Sequence, residues 1–343
     1  MSDLAAEASL RARRERRRLP LLATLALALL GGALLALTIG PYRLALLQVV
    51  HTLAGGATGQ AEVVIWNIRL PRVLAAMLVG AALAAAGASY QVLFRNPLVS
   101  PDILGVSSGA ALGAVCGIFL SLPVIAIQGM AFLGGILAVG LVIMVASAVR
   151  GVDQTLVLVL TGVVMGALAG AATSLLKVMA DPYDQLPAIT FWLLGSLAST
   201  TSADLGPVLP AVLLGLVPLV LLRWRSNLLS LGDDEARALG VDAFRLRLLV
   251  ISAATLVTAS VVAIAGVVGW VGLVIPHIAR MLVGPSFAIL LPAAAILGAG
   301  YLLLVDTLCR TLGTVEIPLG ILTAVLGAPF FLYLLGRGRR GWT

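Results

Sequence analysis

The chain has 343 residues, 61% of them hydrophobic and 11% charged, with a formal net charge of +7. With a mean hydropathy of +1.12, this excludes a water-soluble domain, in which about a quarter of residues are charged. The basic excess sits between apolar runs, where anionic lipid accounts for it without nucleic acid.

In chain order, the basic arm Arg11-Ala-Arg-Arg-Glu-Arg-Arg-Arg18 comes first. The apolar run after it, Leu19 to Gly40, is too long for a signal-peptide core, and no small-x-small cleavage site follows. Arm and run therefore read as a retained membrane span with a basic anchor. A helix needs about 20 apolar residues to cross a bilayer. Val73 to Phe94, Gln154 to Leu176, Leu205 to Leu222, Met281 to Val305 and Ile317 to Gly336 each supply one such uncharged run. Ile103 to Val149 and Leu248 to Ala279 are long enough for two apiece, broken at Pro123 and at the glycines of Gly266-Val-Val-Gly-Trp-Val-Gly272. The expected fold is all-α: a polytopic bundle of about ten transmembrane helices, the eighth short and broken, plus a short outer helix around Asp184 to Leu197. The expected domains are an arm at 1–18, a transmembrane unit at 19–336 and a basic tail at 337–343. Similar breaks at Asn96-Pro97 and Ile275-Pro276 suggest a weak repeat between spans two to five and seven to ten.

An even number of spans puts both termini on one side, and basic residues gather in cytoplasmic loops. With cytoplasmic termini, 17 of the 22 basic residues fall inside, from the arm through Arg95, Arg150, Arg223, Arg225, Arg237, Arg245, Arg247 and Arg280 to Arg337, Arg339 and Arg340. Arg43, Arg69, Arg72, Lys177 and Arg310 fall outside.

Absences narrow the function. The single lysine, Lys177, lacks the glycines of a phosphate-binding loop, so the chain does not hydrolyse ATP by that machinery. Ion-driven transporters carry ionisable groups at mid-membrane, and these are nearly missing; Asp306, near a span end, can pair with Arg310 one turn later. His51 and His277 are too few to ligand bare metal along a pathway, and Cys116 and Cys309 form neither a disulfide framework nor a zinc site. No cofactor is expected. Ser107-Ser108-Gly109 offers hydroxyls but no histidine base in reach, which argues against an embedded hydrolase.

Five motifs rise above the apolar background: Ile68-Arg-Leu-Pro-Arg72; Gln91-Val-Leu-Phe-Arg-Asn-Pro-Leu-Val-Ser-Pro-Asp-Ile-Leu-Gly-Val-Ser-Ser-Gly109; Leu231-Gly-Asp-Asp-Glu-Ala-Arg-Ala-Leu-Gly240; Gly269-Trp-Val-Gly-Leu-Val-Ile-Pro-His-Ile-Ala-Arg280; and Glu316-Ile-Pro-Leu-Gly-Ile-Leu-Thr-Ala-Val-Leu-Gly-Ala-Pro-Phe-Phe331. In order and spacing they resemble the permease family of iron-siderophore, haem and vitamin B12 ABC importers, from about residue 60 to residue 336. The resemblance implies a bacterial inner-membrane permease importing an iron chelate, a siderophore foremost, with haem, cobalamin or molybdate as other members' cargo. It implies two cytoplasmic ABC ATPase subunits, a periplasmic or lipid-anchored substrate-binding protein, and a second permease copy or a homologous permease. The chain itself is then a transport subunit, not an enzyme.

Site roles follow from the same resemblance. Arg69 and Arg72, on a helix expected to start near Pro71 and present both outward, match sockets for acidic residues of the binding protein, and Arg310 a third contact; arginines anchoring a helix end at lipid headgroups is the plainer alternative. Asn96, Pro97 and Leu98 match a cytoplasmic gate, where Pro97 and Pro101 forbid regular helix; an ordinary tight loop is the alternative. Gly232, Asp233, Asp234, Glu235, Ala236, Arg237, Leu239 and Gly240 read as a short helix with an acidic start and a glycine stop, which the resemblance makes the coupling helix seated on the ATPase. Ser107, Ser108 and Gly109 line a pathway or permit close helix packing. His277 reads as structural, and Pro276 with the preceding glycines as the point where the eighth span breaks.

Overall fold

The computed structural model describes residues 2–56, 59–149, 151, 153–229 and 233–337, and every regular element among them is helical. Gly232, Arg150, Arg339 and Arg340, with the rest of the tail beyond Arg337, lie outside the described residues.

The basic arm and the first apolar run form one helix, α1 (Ser2–Thr38), with Pro20 inside it. Short helices α2 (Leu46–Leu53) and α3 (Gln60–Val63) follow, and α3 continues through a π-helical turn, Val64–Arg69, into α4 (Leu70–Leu93). The wide turn has a local cause. Pro71 offers no N–H and its ring crowds the carbonyl four residues back, so the chain widens and the Leu70 N–H reaches Ile65 O instead. A helix starting near Pro71 was expected; the helical path begins at Gln60.

The remaining helices are α5 (Val106–Phe119), α6 (Val124–Ala148), α7 (Gln154–Met179), α8 (Gln185–Leu194), α9 (Ser202–Leu221), α10 (Arg223–Leu229), α11 (Asp233–Ala238), α12 (Ala243–Ala265), α13 (Val271–Val283), α14 (Phe287–Cys309) and α15 (Leu319–Arg337). Among the described residues seven helical stretches are long and apolar enough to cross a membrane; α5, α8, α13 and the apolar part of α15 are shorter. Three of the ten expected spans thus correspond to the short helices α5, α13 and α15.

Two expected breaks are present. Pro123 is the N-cap of α6, and residues 266–270 separate α12 from α13, with Gly266 at φ 68° and Trp270 at φ 71°. Pro276 is not a break: α13 runs through it, and the repeat inferred from paired breaks loses one of its two supports. The carbonyl that a residue-276 N–H would bond is that of Gly272, and it lies against Gly87 of α4, where an added Cβ would sit 1.9 Å from it. The missing hydrogen bond coincides with close helix contact that only glycine permits.

The same logic puts α4 at the centre. Its alanines and glycines are almost all buried, and Gly80 meets Gly298 of α14 so closely that a Cβ would lie 2.1 Å from its carbonyl. In lipid, helices associate by close packing more than by hydrophobic burial, so small residues select the core helix. α8, the expected outer helix, ends at Gly195 (φ 72°), whose carbonyl accepts from Leu319 N at 2.9 Å while Ser196 N donates to Ala265 O at 2.9 Å, joining α8, α12 and α15.

Candidate functional sites at the two ends of the bundle

α4 carries Arg72 at one end and Gln91 at the other, so the candidate residues divide between an Arg72 end and an Asn96 end. At the first, the three arginines are buried or half-buried and already engaged. Arg72 Nε donates to both oxygens of Asp306 on α14, at 3.0 and 3.1 Å, while Nη1 and Nη2 each donate to Glu316 at 2.9 Å. One guanidinium thus binds two carboxylates in fork geometry. Asp306 is fully buried, whereas the Glu316 side chain is 45% exposed. Arg69 donates to Leu37 O at 2.7 Å and to Tyr42 O. Arg310 donates to Ala36 O at 2.7 Å and Ile39 O at 3.1 Å, with its Nε 3.9 Å from Asp306. Arg69 and Arg310 therefore close the open carbonyls at the end of α1.

The expectation that Arg69 and Arg72 point outward is corrected. Both residues are buried, because Arg69 folds onto the carbonyls of Leu37 and Tyr42 and Arg72 onto the carboxylates of Asp306 and Glu316. The expected Asp306–Arg310 pair is present only at 3.9 Å; Arg72 is the closer partner. Glu316 appeared in a motif but had no assigned partner, since 244 residues separate it from Arg72.

At the other end, α4 stops in a Schellman arrangement. Asn96 N donates to Gln91 O at 3.1 Å and Arg95 N to Val92 O at 3.2 Å. Arg95 takes the left-handed position (φ 49°) usually given to glycine. Asn96 Oδ1 then accepts the Leu98 N–H at 2.9 Å, and a 3-10 turn, Pro101–Leu104, leads to Gly105 (φ 77°) and α5. Asn96 and Leu98 are exposed and Pro97 half-buried. Of the next motif, Ser107 Oγ donates to Asp102 Oδ1. Gly109 packs on α6, where a Cβ would meet Ala138 at 2.4 Å and Gly134 O at 2.5 Å. Ser108 is half-buried.

The acidic segment forms α11, and Gly240 stops it at φ 78°, with Val241 N bonded to Ala236 O and Gly240 N to Arg237 O, both at 2.9 Å. Ala236 is buried; Glu235, Arg237 and Leu239 are exposed, Leu239 by 59%. The helix thus turns a small residue inward and leaves a large apolar side chain in the open.

Residues 27–337 match the FecCD transport family. The chain belongs to that family. It is an ABC importer permease and a multi-pass membrane protein. It is 42% identical to the molybdate import system permease protein MolB of Haemophilus influenzae, over 90% of this chain and 93% of that protein. Against the hemin transport system permease protein HmuU of Yersinia pestis it is 44% identical, over 84% and 88%. A solved chain titled as an inward-facing conformation of a metal-chelate type ABC transporter superposes with a TM-score of 0.85 at 40% identity, covering 93% of this permease and 99% of that chain.

Two polar contacts at the Asn96 end of this permease escaped the sequence reading. Arg280 Nη2 donates to Gln91 Oε1 at 3.1 Å, and Asn227 Oδ1 accepts the Phe287 N–H at 2.7 Å. Both join residues far apart in sequence, and neither belongs to a local pattern.

Proposed function

We propose that this permease forms the translocation pathway of an importer for a metal chelate, an iron siderophore foremost, working as a dimer of permeases with two ATPase subunits at the Asn96 end and a binding protein at the Arg72 end. The observation that carries the reading is the family match across almost the whole chain, together with relatives named for hemin and molybdate transport. The arginines Arg95, Arg223, Arg225, Arg237, Arg245 and Arg280 all belong to the Asn96 end, and under the positive-inside rule this supports placing that end in the cytoplasm.

In this reading α11 is the coupling helix, its exposed Leu239 the apolar contact with the ATPase, and Asn96 to Leu98 the cytoplasmic gate. Ser107 and Ser108 lie next to the gate at the start of the path. Docking at the outer end would have an acidic partner residue exchange with Glu316, the exposed member of the Arg72 cluster. Reconstitution of the permease with its ATPase and binding protein tests the reading: radiolabelled ferric siderophore uptake should require ATP, and uptake driven by an ion gradient alone would overturn it. Leu239→Asp should insert normally yet lose ATPase co-purification and uptake together. Uptake at the parent rate with the ATPase still bound would remove the coupling assignment.

A further inference from the structure

A gate and a coupling helix on separate elements need a physical connection. The element before it, α10, packs on both α14 and α4. α14 begins without a cap of its own, since Ser286 makes no side-chain cap bond. Its first residue, Phe287, is fully buried, so its N–H would be an orphan donor cut off from water. Asn227 of α10 supplies the acceptor at 2.7 Å. α10 therefore cannot separate from the start of α14 without stranding that donor.

The chain is tight on the other side of the cap. Arg280 lies in the last turn of α13, its carbonyl accepting from Gly284 N at 2.9 Å, and Ser286 O accepts from Ile289 and Leu290 to open α14. From α13, Arg280 Nη2 donates to Gln91 Oε1, and Gln91 Nε2 donates in turn to Leu273 O at 3.1 Å. The buried Gln91 amide is thus clasped by two residues about two turns apart on α13, with its oxygen and nitrogen both committed. Its own backbone carbonyl accepts the Asn96 N–H, and Asn96 Oδ1 accepts from Leu98.

We propose that Asn227 and Arg280 are positioning residues that link α10–α11 to the Asn96 loop: a shift of α10 moves the start of α14, the α13–α14 turn, Arg280, Gln91 and so the loop. The proposal rests on reading that loop as the gate and α11 as the coupling helix. Coupling of this kind needs a demonstrated response at one site to a change at the other.

Two measurements separate the link from the reading beneath it. In the full permease in nanodiscs, Asn227→Ala should raise hydrogen exchange of the Leu98 and Val99 amides by about fivefold or more, while Asn227→Asp, which keeps the acceptor, should leave them protected. Gln91→Leu breaks the far contact with the α10–α14 cap intact and should give the same loss, which keeps the test open if Asn227→Ala fails to fold. A change confined to residues 284–290 overturns the link. In the complex with its ATPase subunits, maleimide labelling of Leu98→Cys, with Cys116→Ser and Cys309→Ser, should respond to ATP and vanadate. Asn227→Ala should abolish that response. If the response stays within about twofold of the parent's, the link is wrong and the gate stands. If the parent shows no response, the gate reading fails and takes the proposal with it.

Discussion

At Arg72 a single guanidinium pairs with two carboxylates inside a bundle end, and the energetic consequence depends on which member is removed. Breaking a buried pair by deleting one partner leaves an uncompensated charge, whereas replacing the pair by apolar side chains often costs little. Asp306→Ala should therefore destabilise the permease by about 3–5 kcal/mol, read as a lowered unfolding midpoint in detergent. The double change Arg72→Met, Asp306→Leu should recover much of that loss. A milder case lies at the start of α7, where Asp153 Oδ1 accepts the Leu156 N–H at 2.9 Å and this backbone bond holds its carboxyl below the usual range. Because the folded value is depressed, the cap's contribution is complete above the ordinary carboxylate pKa of about 3.9 and disappears as pH falls through the lower folded value. Asp153→Ala should cost about 1 kcal/mol at neutral pH and flatten the acid limb of the stability profile. An unchanged limb would mean the cap bond is not kept in solution.

Among the helices, close approach and not amphipathicity decides which one is central. α4 touches α13 through Gly87 and α14 through Gly80, and at both contacts a methyl group would overlap a backbone carbonyl. Gly87→Ala should then cost about 1–3 kcal/mol by forcing α4 and α13 apart. Gly129→Ala in α6, with open space around it and no unusual backbone angle, should be neutral or slightly stabilising. A thermal-shift comparison of the two decides it, and equal stabilities would show that α13 yields without cost. Breaks at Pro123 and Gly266 were legible because the breaker also ends the apolar run. The helix through Pro276 was not, since proline signals a missing hydrogen bond without saying that a neighbouring helix uses the freed carbonyl.

For the assembled transporter, the proposed docking role of the Arg72 cluster would connect stability to partner binding. Glu316 holds two of the guanidinium's donors while remaining 45% exposed, so it competes with any acidic residue a binding protein brings. Glu316→Gln removes the competing charge. It should tighten binding-protein affinity by about three- to tenfold at low salt, with the gain shrinking as ionic strength rises. Affinity measured in nanodiscs checks this; no change, or weaker binding, would return Arg72 to a purely structural brace.

The sequence by itself determined that the chain lives in lipid, roughly where its helices begin and end, that Gly240 stops a short charged helix, and which family the five motifs resemble. The resemblance depends on the order and spacing of the motifs along the chain; the other properties depend on composition, run length and local backbone preference, which act over fewer than about 25 residues. Only the tertiary structure decided that Arg69 and Arg72 are buried, that Arg72 and not Arg310 is the closer partner of Asp306, and that Asn227 and Arg280 bind groups on other helices. Each of these depends on which helices become neighbours. That choice is made by glycine-mediated fit between distant segments and by the need to pair every polar group buried there, and neither leaves a periodic mark on the sequence.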